Sequence, residues 1–72
     1  MNWDTVQENW DQYKGEIKHR WGRLTDDDVE IIEGSHDKLV GKLRKKYGIL
    51  EDEAEMEIND FLNDPREEMH EV

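Results

Sequence analysis

Ser35, His36 and Asp37 bring together the three residue types of a nucleophilic relay. Their adjacency argues against that chemistry, because the imidazole must bridge two partners in space and consecutive side chains cannot take those places. The simpler expectation is a helix cap followed by exposed first-turn residues. Asp26, Asp27, Asp28, Glu30 and Glu33 form the next constellation, a run of carboxylates that could attract calcium. An EF-hand loop needs alternating ligands, glycine at its sixth place and glutamate at its twelfth. Counted from Asp26, those places hold Ile31 and Asp37, so the run reads as an acidic helix start. His19, His36 and His70 are far apart and make no zinc-type pair at helical spacing. No catalytic, metal or cofactor residue is expected.

Lys38, Lys42, Lys45 and Lys46, followed by Tyr47, are the best candidates for contact with nucleic acid. The same cations would also offset the negative end of a helix dipole and pair with the chain's many carboxylates. Twenty acids stand against ten bases, a net charge of -10, which repels polyanions and anionic membranes at long range. Charged residues make up 42% of the chain and apolar ones 33%. That balance borders on the disordered class, yet three tryptophans and a regular apolar pattern argue for a small soluble fold. There is no cysteine, so neither a disulfide nor a thiolate metal site is available. No apolar run reaches the ~18 residues of a membrane span, and the first residues lack a signal-peptide pattern. The expectation is a soluble cytoplasmic monomer with no membrane partner.

The elements that would carry these residues follow from periodicity. Trp3, Val6, Trp10, Tyr13, Ile17, Trp21 and Leu24 are spaced by three or four. They fall within roughly 60° of arc on a helix, a buried stripe that makes core packing the first reading of all three tryptophans. Asn2, Asp4 and Thr5 are each able to cap this helix, and Gly22 is placed to end it in a left-handed residue. Thr25 and Asp28 have the spacing of a capping box, with Leu24 and Val29 at the staple positions; Gly34 would end that helix. Ser35 can cap the next, whose stripe is Leu39, Val40, Leu43 and Tyr47 and whose stop is Gly48. Asp52 can cap the last, with Ala54, Ile58, Phe61 and Leu62 buried. The predicted helices span roughly 3–21, 26–33, 36–47 and 53–62 of one domain, 1–64; an acidic tail, 65–72, is expected to be disordered.

Lys14–Leu24 (KGEIKHRWGRL) returns 26 positions later as Val40–Leu50 (VGKLRKKYGIL). Gly15 matches Gly41, Gly22 matches Gly48, Leu24 matches Leu50, and Trp21 answers to Tyr47. Each copy is a helix end, a glycine, a leucine at the turn and an acidic helix start, the plan of an αα-hairpin. The expected fold class is all-α: a compact domain of four helices, or five, built from two hairpins packed roughly orthogonally, with Trp21 and Tyr47 as equivalent core aromatics. Nine of the ten bases lie in two blocks, Lys14 to Arg23 and Lys38 to Lys46, so basic helix ends should alternate with acidic helices. Gly15 and Gly41 fall mid-helix on the outer faces, where glycine loses ~1 kcal/mol against alanine. Close approach by a neighbouring helix or a partner would explain them, as would inheritance from a duplicated ancestor.

Asn2-Trp3, Lys14-Gly15, Ile17-Lys18, Trp21-Gly22, Leu24-Thr25-Asp26-Asp27-Asp28, Glu33-Gly34, Leu39-Val40-Gly41-Lys42-Leu43, Tyr47-Gly48 and Ala54-Glu55 together resemble the CsbD-like family of small bacterial stress-response proteins. The resemblance covers roughly residues 2 to 62. It implies four or five helices in orthogonal hairpins, and a bacterial cytoplasmic protein made more abundantly under general stress. It brings no catalytic or ligand residues. The expected role is non-enzymatic, as a soluble helper or by binding an unidentified protein. The alternative is a small nucleic-acid-binding module using the basic helix ends at Lys38, Lys42, Lys45 and Lys46.

Overall fold

The computed structural model describes residues 2–63, and all regular structure among them is helical. The five helices are α1 (Trp3–Glu8), α2 (Trp10–Arg20), α3 (Asp26–Ile32), α4 (His36–Tyr47) and α5 (Glu51–Leu62). Each packs on the next in sequence. One apolar cluster runs through all five, from Val6 through Ile17, Ile32 and Leu43 to Ile58. Fully burying such a side chain is favourable by ~1.5–3 kcal/mol. The acidic tail expected to be disordered lies outside the described residues.

The helix expected over 3–21 is two helices, broken at Asn9. Both the backbone N–H and the side-chain Nδ2 of Asn9 donate to the Thr5 carbonyl, at 3.1 and 3.0 Å. Asparagine offers the backbone such a local alternative to helical bonding, and here ψ swings to 41°. Periodicity could not show this, because the apolar spacing runs straight through Asn9. The cap of α1 is Asn2, whose Oδ1 accepts from the Thr5 N–H.

Two further expectations are corrected. Gly22 is not left-handed; α2 ends on Trp21 at φ -115°, where the ring turns into the core at 3% exposure. The cap of α5 is not Asp52. The helix begins two residues earlier, after Leu50, whose N–H donates to Glu53 Oε1 at 3.1 Å. Elsewhere the local signals hold. Ser35 Oγ accepts from the Lys38 N–H, and Gly48 closes α4 at φ 65°. At the end of α3 the left-handed cap is Glu33, followed by Gly34 at φ 81°.

Trp3 and Trp10 are half-buried, 6.2 Å apart between ring centres. Their indole N–H groups reach across to α3 and its exit: Trp3 donates to the Gly34 carbonyl at 2.9 Å and Trp10 to that of Val29 at 3.2 Å. The Val29 carbonyl also accepts the Glu33 N–H that closes α3, at 3.2 Å, so the Trp10 indole is a second donor there, and the two indoles pin α1 and α2 against α3 and its exit.

Candidate functional site

Asp28 is the buried charged residue among the described residues, at 5% exposure. It is the third residue of α3, where its carboxylate accepts from the Thr25 N–H at 3.0 Å while Thr25 Oγ1 accepts from the Asp28 N–H at 3.1 Å. The capping box read from the sequence is therefore closed in both directions. Two ammonium groups from α4 complete the surroundings: Lys42 Nζ lies 3.0 Å from Oδ1 and Lys46 Nζ 3.1 Å from Oδ2. The Thr25 amide, then Lys42 and Lys46, hold the Asp28 carboxyl far below the usual carboxylate range, against the opposing effect of desolvation.

This arrangement divides the candidate nucleic-acid lysines. Lys42 and Lys46 are partly buried and turned onto Asp28. Lys38 and Lys45 are exposed and make no ion pair among the described residues. Tyr47 is not the buried equivalent of Trp21 that the repeat suggested. It is half-buried, its hydroxyl accepts from the Arg23 N–H at 3.1 Å, and the Arg23 guanidinium lies 5.5 Å from its ring centre. Trp21 instead packs on Phe61 at 5.6 Å and donates its indole N–H to Glu57.

The other constellations are spent on structure. Ser35 is the α4 cap, and the His36 ring meets the face of Trp3 edge-on at 5.6 Å. His36 Nε2 is 3.7 Å from Glu55 and its Nδ1 3.9 Å from Asp37. Asp26 bonds Lys18, which lowers its carboxyl pKa, and Lys14 lies 3.6 Å from Glu30. An open groove between α2 and α3 is lined by these two pairs with Asp11 and His19, so its cations are already partnered by its own walls. No three His, Asp or Glu side chains converge as a metal site would need, among the described residues; His70 lies outside them. No helix among those residues is long and apolar enough to cross a membrane.

Sequence reasoning named Asp28 as a cap and missed its role as the point where α4 is tied to the start of α3. The available signal was the pair Lys42 and Lys46, one helical turn apart on one face of α4. It named Gly34 as a helix stop and missed its close contact with α1. A Cβ there would lie 3.2 Å from Gln7 Cγ and 3.4 Å from Gln7 Cα, whereas Gly15 and Gly41 have nothing within 4 Å. The close backbone approach exists, but between the α3–α4 turn and α1.

The CsbD-like family matches residues 4–56. UPF0337 protein YjbJ of Escherichia coli K12 is 52% identical over 61 residues, covering 85% of this chain and 88% of that protein. UPF0337 protein ECA0631 of Pectobacterium atrosepticum is 48% identical over 58 residues, 81% of this chain and 84% of its own length. UPF0337 protein NE2439 of Nitrosomonas europaea is 45% identical over 64 residues, 89% of this chain and 68% of its own. No solved structure matches. The matched stretch contains Thr25, Asp28, Lys42 and Lys46, the whole of the α3–α4 junction, and on this match the chain belongs to the CsbD-like family.

Proposed function

We propose that this protein is a non-enzymatic member of the bacterial general stress response, acting as a soluble helper or by binding a protein partner in the cytoplasm. Membership of the CsbD-like family carries the reading. The use of its polar groups supports it. The residues with the strongest chemical look, Asp28, Ser35 and His36, are engaged in capping, ion pairing and ring packing that hold α1, α3, α4 and α5 together. A general acid or base must instead keep a substrate within hydrogen-bond reach.

The test is recovery of partners from stressed bacterial lysate on the immobilised full chain, with and without nuclease. Recovery of the same protein in both conditions supports a protein-binding role, and recovery of nothing supports the bulk helper role. Recovery that nuclease abolishes would overturn the reading in favour of a nucleic-acid module.

A further inference from the structure

Among the described residues the inter-helix ion pairs to lysine all converge on α3: Lys14 and Lys18 reach it from α2, Lys42 and Lys46 from α4. Two outer faces are left without such partners among those residues. On α4, Lys38, Gly41, Arg44 and Lys45 are exposed, and a Cβ on Gly41 would meet nothing within 4 Å. On α5, Asp52, Asn59 and Asp60 are exposed around Met56, itself 64% exposed. Each helix has 12 residues. One face is a row of cations with a gap at its middle; the other is a row of acids with a flexible apolar side chain at its middle.

We propose that the α4 face of one copy of this chain docks on the α5 face of a second copy, antiparallel. Met56 then seats over Gly41, with Lys38 opposite Asp60 and Lys45 opposite Asp52. The spacings agree: Lys38, Gly41 and Lys45 are separated by three and four residues, Asp52, Met56 and Asp60 by four and four. At 1.5 Å rise per residue the two rows stay in step to within about one residue. Glycine at the contact lets backbones approach closely, and methionine adapts to an irregular recess. The net charge of -10 is the reason to expect a monomer, and this proposal replaces that expectation at physiological salt. The Debye length there is about 8 Å, well below the smallest molecular extent of 21 Å. Facing pairs are felt while the bulk charges of two copies are largely screened. The proposal is independent of the function proposed above.

Sedimentation equilibrium of the full chain across a concentration series, at physiological salt, tests it. Lys38→Glu and Asp60→Lys are suitable variants, because each places the new charge at the helix end whose dipole favours it, and circular dichroism verifies the fold. The expected result is a concentration-dependent rise above monomer mass for the native chain, weakened about tenfold in each variant alone. Mixing the two variants, which restores the facing charges in swapped form, should bring association back. A native chain that stays monomeric to about 1 mM would overturn the proposal. So would association that neither variant changes.

Discussion

Trp21 and Tyr47 occupy equivalent places in the repeat and do different work. The Trp21 ring is 3% exposed, against Phe61 and within 5.9 Å of the Arg20 guanidinium. Trp21→Ala should lose about 3–5 kcal/mol in denaturant unfolding. Tyr47 lies over Arg23 at the edge of the core, so Tyr47→Ala should lose about 1–2 kcal/mol; equal losses would restore the symmetric reading. The glycines separate in the same way. Gly15→Ala and Gly41→Ala meet open space within the single chain and, at concentrations where the chain is monomeric, should each raise stability by about 0.4–1 kcal/mol. Gly34→Ala puts a methyl group against Gln7 at φ 81° and should lower stability by about 1–3 kcal/mol. Melting temperatures of the three variants decide the matter, and a fall at Gly15 or Gly41 would show that a neighbour presses there.

Among the elements, the legible ones were those whose ends are written within four residues. Thr25 with Asp28, Ser35 with the Lys38 amide, and Gly48 are local rules, and α3 and α4 begin where those rules place them. The break at Asn9 escaped because asparagine is tolerated in a helix and the tryptophan spacing continues across it. Asn9→Ala removes the side-chain bond to Thr5 and should favour a continuous α1–α2 helix, drawing Trp3 and Trp10 away from the Gly34 and Val29 carbonyls. The expected signature is unchanged or increased helicity by far-ultraviolet circular dichroism with a lowered melting temperature. A variant more stable than the native chain would show that the break has no tertiary purpose. The candidate site was only half legible. Asp28 as a cap is a matter of three residues, but its contacts with Lys42 and Lys46 span 14 and 18 positions and exist only once α3 and α4 pack.

At the scale of the whole molecule, the acidic chain is organised around α3, with α2 and α4 supplying its counter-charges. The central claim is that the conspicuous carboxylates hold the fold, Asp28 foremost. Its carboxyl pKa is depressed in the folded protein relative to an ordinary value of 3.8. A depressed carboxyl contributes stability that is fully present above the unfolded pKa and is lost as pH falls through the folded one. Asp26, lowered by Lys18, adds in the same direction. The decisive measurement is the urea midpoint of the native chain and of Asp28→Asn from about pH 7 down to about pH 2. The native chain should be clearly more stable at neutral pH, and the gap should begin to narrow below about pH 4, where the unfolded carboxyl takes up a proton that the folded one still refuses, and keep narrowing toward the acid end. Two profiles that coincide at neutral pH, or stay parallel into acid, would contradict the claim.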